Sequence, residues 1–98
     1  MIKKTYAKDK QTCRVTFKIP TARGAEKAHL CGDFTDWEIT CIPMKRRKDG
    51  SFSATVMLQT GQSFRYRYLV DDTYWENDEV ADAYTPNPFG SDDCVVSV

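Results

Sequence analysis

Three observations predict an all-β fold, an immunoglobulin-like antiparallel β-sandwich of about six to eight strands. Apolar and polar residues alternate with period two in several runs. Turn residues break these runs at intervals of about ten residues. No run keeps the 3.6-residue period of an amphipathic helix. The cysteines do not bracket a tryptophan as they do in antibody domains, which argues against a domain of that kind.

Residues 1–11 are polar and basic and read as an N-terminal arm; residues 12–98 form the sandwich. From Thr12, the residues Cys13, Val15, Phe17 and Ile19 share one face and Arg14, Thr16 and Lys18 the other, a half-buried strand that Pro20 ends. A loop over residues 21–27 contains Gly24, and residues 28–34 form the second strand. A loop over residues 35–43 carries Trp37. The basic run Lys45-Arg46-Arg47-Lys48 leads into Asp49-Gly50, a hairpin turn in which glycine accepts positive φ. Phe52, Ala54, Val56 and Leu58 then alternate with Ser53, Thr55 and Met57. After the turn Thr60-Gly61-Gln62, Phe64, Tyr66, Tyr68 and Val70 point inward, so Arg65, Arg67 and Leu69 project from the opposite side. Asp71-Asp72 turns the chain into a short strand with Trp75. Residues 76–90, with Pro86 and Pro88, read as a long loop, and residues 94–98 as the last strand.

Composition narrows the function. The chain has 98 residues, a size that buries a core without metals or disulfides. Fourteen basic and fourteen acidic residues cancel, which gives no overall attraction to nucleic acid or an anionic membrane. No apolar run is long enough to span a bilayer, and the first residues lack the apolar core of a signal peptide, so a cytoplasmic protein is expected. Cys13, Cys31, Cys41 and Cys94 contain no CxxC pair, which disfavours zinc, and reduced thiols are the expectation. His29 reads as structural.

Two tryptophans stand just past strand ends, Trp37 after Leu30-Cys31-Gly32-Asp33-Phe34-Thr35-Asp36 and Trp75 after Val70-Asp71-Asp72-Thr73-Tyr74. By pattern alone they suit a core as well as a ligand platform. With Pro43-Met44, Asp49-Gly50-Ser51-Phe52, Gly61, Tyr66-Arg67-Tyr68-Leu69-Val70-Asp71 and Val95-Val96-Ser97-Val98, these motifs occur in one order over roughly residues 13–98. In that order and spacing the chain resembles the family 48 carbohydrate-binding modules. These are the early-set domains at the N-terminus of isoamylases and glycogen branching enzymes, and the glycogen-binding domain of the AMP-activated protein kinase β subunit. It is closest in build to stand-alone bacterial proteins of this type.

The resemblance implies a sandwich that binds α-1,4-linked glucan (glycogen, starch or maltooligosaccharide) without cleaving it, with glycogen-metabolising enzymes as a class of partner. It implies sugar contacts at Trp37 and Trp75, at Arg67 in the family's lysine position, at Phe89 and Ser91 for a leucine and a threonine, and at Asp93 for an asparagine. Three departures accompany it. Asp72 stands for a usual glycine, with one extra residue before Trp75. Asp93 only accepts hydrogen bonds where an amide does both. Arg67 keeps the lysine charge in a planar fork.

These residue types suit the chemistry. A glucose ring has C–H faces and hydroxyl edges, and an indole offers a broad apolar face with one N–H. Arg67 donates to hydroxyls, Asp93 accepts from them, and Ser91 does either. Asp71, Asp72, Glu76, Asp78, Glu79 and Asp82 supply carboxylates, yet glycoside hydrolysis needs two across a scissile bond in a cleft, for which a domain this small has little room. No catalytic triad or phosphate loop is visible, the acidic run lacks EF-hand spacing, and no cofactor is implied. A protein-interaction module of the same fold that has lost sugar binding is the alternative, docking through the face of Arg65 and Leu69. Nucleic-acid binding through Lys45 to Lys48 is the weakest reading, since no aromatic interleaves that run.

Overall fold

The strongest alternating runs become the strands that carry the core. The computed structural model describes residues 2–20, 25–35, 37 and 41–98, without the side chain of Tyr74. The described residues form ten strands: β1 (Ile2–Tyr6), β2 (Thr12–Ile19), β3 (Ala28–Gly32), β4 (Ile42–Pro43), β5 (Lys45–Arg46), β6 (Phe52–Gln59), β7 (Ser63–Val70), β8 (Tyr74–Glu76), β9 (Ala83–Pro86) and β10 (Asp92–Ser97). They build two antiparallel sheets, β1-β2-β6-β5 and β4-β3-β7-β10-β9. Strand β8 pairs with Tyr68–Val70 of β7, along the edge that β10 uses from Ser63 to Tyr66. This is the expected β-sandwich.

Period two sorts the side chains between core and solvent. Cys13, Val15 and Phe17 of β2 and Tyr66, Tyr68 and Val70 of β7 are sealed between the sheets, with Phe52, Leu58, Cys94 and Val96. Phe17 meets Tyr66 edge-on at 4.9 Å between ring centroids. Two buried tyrosines bring two hydroxyls that need partners. Both donate to Asp78 Oδ2, at 3.0 Å each. Asp78 Oδ1 accepts from the Val80 amide at 2.9 Å, and the Asp78 amide donates to Cys94 Sγ at 3.0 Å. Burial pushes both tyrosine hydroxyls far above their ordinary range. Burial also opposes the Asp78 charge, yet its carboxyl lies below the usual value, with the Val80 amide and the Tyr68 hydroxyl among the groups that favour the ionised form.

Four expectations are corrected. Residues 2–6, expected in an N-terminal arm that docks late or frays and given no strand, pair with β2 from Ile2↔Phe17 to Tyr6↔Cys13, and Ile2 adds to the core edge. The strand expected over 28–34 ends at Gly32, and Asp33–Thr35 make a 3-10 turn. A Cβ at Gly32 would collide with the Arg65 carbonyl oxygen, so the chain approaches β7 too closely for a side chain there. The loop expected over 76–90 contains β9, an edge strand that tolerates Pro86 because it pairs with β10 alone. Cys31 and Cys41, expected as thiols, are joined in a disulfide with 5.0 Å between Cα atoms. The cause is register: Leu30 pairs with Ile42, so Cys31 and Cys41 face each other at the next step. Cys13 and Cys94 are free and buried, as expected. Of the expected loops, residues 21–24, 36 and 38–40 lie outside the described ones. Among the described residues no helix is long and apolar enough to cross a membrane.

Candidate functional site

The outer face of β7 is the base of the site. Arg65 and Arg67 stand on it, and Leu69 follows at the same spacing. Leu69, expected exposed, is instead buried with the Cys31–Cys41 disulfide, and Trp37 packs over the three. Register places Trp75 of β8 opposite Leu69. The two indoles therefore meet, with centroids 6.3 Å apart and planes inclined at 62°. They form a corner, not one continuous flat surface. Trp75 is 44% exposed and Trp37 partly buried.

Local chemistry holds Trp37 in place. Its φ is +56°, in the left-handed region, which costs a bulky residue about 1–3 kcal/mol. Its amide donates to the Gly32 carbonyl at 3.1 Å, and its indole N–H donates to Asp33 Oδ1 at 2.9 Å. Asp33 Oδ2 accepts from the Arg65 amide at 2.8 Å, which ties the turn to β7. Thr35 Oγ1 donates to the Gly32 carbonyl and accepts from its amide. The indole N–H of Trp37 is thus already engaged within the protein.

Asp72, which replaces the usual glycine of the resemblance, adopts φ +56° beside Asp71 at +52°. Thr73 N–H donates to the Val70 carbonyl at 3.1 Å, closing a two-residue hairpin turn. Asp71 Oδ1 accepts from the Glu26 and Lys27 amides, and Asp72 pairs with Lys27 at 2.5 Å. His29 Nδ1 lies 3.7 Å from Asp72, beyond hydrogen-bond reach, and is buried without a hydrogen-bond partner among the described residues.

Arg67 lies over Trp75, with Cζ 5.8 Å from the ring centroid, a cation–π geometry. Arg67 Nε donates to Asn77 Oδ1 at 2.7 Å and Nη1 to Ser91 Oγ at 3.5 Å. The opposite wall is the turn between β9 and β10. Asn87 organises it: Oδ1 accepts from the Phe89 and Ser91 amides, and Nδ2 donates to Ser91 Oγ and to Asp93 Oδ1, both at 3.1 Å. Gly90 supplies the positive φ of the turn. Phe89 at its tip is 91% exposed. Asp93 is buried, with Arg65 Nη1 3.9 Å from Oδ2.

A groove of about 810 Å³ runs between these walls. All six residues singled out in the sequence line it: Trp37, Arg67, Trp75, Phe89, Ser91 and Asp93. Asp33, Arg65, Asn87 and Pro88 line it too. Asn-Pro-Phe-Gly is a readable turn signal that could have pointed to Asn87; the roles of Asp33 and Arg65 depend on the turn after Gly32 and had no such signal. The groove combines aromatic surface with two guanidinium groups and two carboxylates, a set that can stack on a ring and exchange hydrogen bonds with hydroxyls. Among the described residues no group of three or more His, Cys, Asp or Glu is placed to hold a metal ion.

The sequence matches the profile of carbohydrate-binding module 48, the isoamylase N-terminal domain, over residues 5–85. The chain belongs to that family. Carbohydrate binding is the property of the family, whose modules are binding units. The match covers Trp37, Arg67 and Trp75 and ends before Phe89, Ser91 and Asp93 of the turn between β9 and β10. No curated protein matches the sequence.

Proposed function

We propose that the module binds α-1,4-linked glucan in the groove over β7 and does not cleave it. One observation carries this reading: two tryptophans, a guanidinium stacked on one of them and an almost fully exposed phenylalanine border a single open groove. An exposed Phe at a rigid turn has no packing role in the fold, and aromatic surface of this kind is what a sugar ring's C–H face stacks on. The indole corner fits a bent chain in which successive glucose units turn, in preference to a flat one. Arg67 is pre-set by Asn77 and Trp75, so little rotamer entropy is lost when it donates to a hydroxyl. The groove is open and its affinity modest; binding to a polymer with many repeats gains by avidity.

Co-sedimentation with insoluble starch and with cellulose tests the reading. Depletion by starch alone supports it, and equal retention on both, or on neither, contradicts it. Release of reducing sugar from amylopectin by the purified protein contradicts the non-catalytic part.

A cytoplasmic location and glycogen-metabolising enzymes as partners belong to the same reading. The cytoplasm keeps thiols reduced, so the Cys31–Cys41 bond of the structure counts against that location. Recovery of Cys31 and Cys41 in the oxidised state after thiol trapping in cells would contradict that location. The alternative, an interaction module without sugar binding, is favoured by one feature: the Trp37 N–H and the Asp93 carboxylate already have partners inside the protein. Failure of starch to deplete the folded protein would decide for it.

A further inference from the structure

The zero net charge conceals a strong separation. Residues 1–20 and 45–60, which supply the sheet β1-β2-β6-β5, hold ten of the fourteen basic residues and two of the fourteen acidic ones. The rest of the chain holds four basic and twelve acidic residues. The sandwich is basic on one sheet and acidic around the other.

The pairing registers place the basic charges on one surface. Val15, Phe17 and their neighbours face the core, so the alternate positions face out. Across the strands, Lys3, Thr16 and Thr55 form one outer row, Thr5, Arg14 and Met57 the next, and Lys18, Ser53 and Lys45 a third. Arg47 Nε donates to Ser53 Oγ at 3.0 Å, which adds a guanidinium to this face. No Asp or Glu occupies these rows. The two acids of these segments lie in turns: Asp49 accepts from the Ser51 amide and hydroxyl and also feels the Lys18 charge at the margin of the face, and Asp9 accepts from the Gln11 amide. Lys4 and Lys27, off this face, have carboxylate partners; among the described residues Lys3, Arg14, Lys45 and Arg47 have none. Met57, 56% exposed, sits in the middle row beside Arg14.

We propose that this outer face is a second binding surface, for an acidic protein segment rich in Asp and Glu. Like charges close together on a flat sheet repel, and an anionic partner relieves that repulsion. Arg and Met are residue types enriched in protein interfaces. The three rows lack aromatics on which bases could stack, which disfavours single-stranded nucleic acid. One exposed Met gives little apolar surface to insert in a bilayer. Strands about 4.8 Å apart make a patch smaller than the usual stable interface of about 800 Å² per partner, so the association is weak, fast and salt-sensitive. The groove occupies the outside of the opposite sheet, leaving both surfaces free at once. The module can thereby hold an acidic partner while the groove is occupied, and this inference does not depend on what the groove binds.

Fluorescence anisotropy of a labelled oligoglutamate peptide, titrated with the full chain, tests it. Binding is expected at low salt, weakening about tenfold or more by roughly 0.15 M salt. The pair R14E and K45E should weaken it about tenfold further, while R65E on the other sheet leaves it unchanged. Circular dichroism of R14E/K45E should match the parent, since both side chains are exposed. Four results overturn the proposal: no anisotropy change at low salt, equal loss in R65E, tighter binding to oligouridylate or to phosphatidylserine vesicles than to the peptide, or salt-sensitive self-association in sedimentation without the peptide.

Discussion

Opening the Cys31–Cys41 bond should loosen the floor beneath Trp37 before it unfolds the rest. The two cysteines are ten residues apart in sequence and, with Leu69, form a small buried cluster against which Trp37 packs. In the chain-entropy account, a crosslink closing a loop of this length removes about 3 kcal/mol of unfolded-state freedom at 25 °C. A domain of this size loses stability in urea at about 1 kcal/mol per molar, so the midpoint should fall by about 2–3 M on reduction. Urea unfolding with and without a dithiol reductant, and of the C31A/C41A variant, measures this. The chain has two tryptophans, so in the Trp75→Phe background all indole emission comes from Trp37. Emission there should change on reduction at urea concentrations where far-UV circular dichroism does not. Thiol titration of the unfolded, unreduced protein should count two groups, Cys13 and Cys94. A count of four, or a stability change on reduction within about 0.5 kcal/mol, would refute the reasoning.

Three further outcomes are expected. Asp78 has a folded-state pKa below the ordinary carboxylate value, so its stabilisation is complete above about pH 4 and is lost as pH falls through the lowered value; Asp78→Asn should flatten the acid limb of the stability–pH curve and cost about 1–3 kcal/mol at neutral pH, because two buried tyrosine hydroxyls lose a charged acceptor. Burial pushes the Cys94 thiol up to about 11, so mass spectrometry after iodoacetamide treatment at pH 8 should find Cys94 unmodified in the native protein and modified after unfolding. Gly32→Ala puts a methyl group against the Arg65 carbonyl, and a cost of about 2 kcal/mol should lower the thermal midpoint by about 10 °C; an unchanged midpoint would mean that β3 and β7 are not so close.

What could be read from the sequence follows from which strands bury one face. Strands β2, β6 and β7 alternate cleanly because one side of each meets the core, and their limits were legible to within a residue or two. Strands β1 and β9 were not, since Lys3-Lys4-Thr5 and Ala83-Tyr84-Thr85-Pro86 lie at sheet edges with few buried positions. The disulfide was illegible because Cys31 and Cys41 become neighbours only through the β3–β4 register. Arg67 and the aromatic members of the groove could be named from motif order. Asp33 and Arg65 could not, because the turn after Gly32 brings them together, Asp33 anchoring the Trp37 indole and accepting from the Arg65 amide; Asn87, which shapes the turn that presents Phe89, had only the turn signal of Asn87-Pro88-Phe89-Gly90. Composition hid the basic face, since a balanced total says nothing about where the charges lie.

The groove reading depends on Trp75, Trp37 and Phe89 meeting the same ligand. Tryptophan emission during titration with maltoheptaose and β-cyclodextrin tests that most directly, in the parent, W75A and F89A. Trp75 and Phe89 are exposed enough for their loss to leave the fold intact. A saturable shift is expected in the parent. Affinity should drop about thirtyfold in W75A, as for loss of a central aromatic contact of about 2 kcal/mol, and by a smaller factor in F89A. A flat titration of the folded parent, or unchanged affinity in W75A, would contradict glucan binding at this groove.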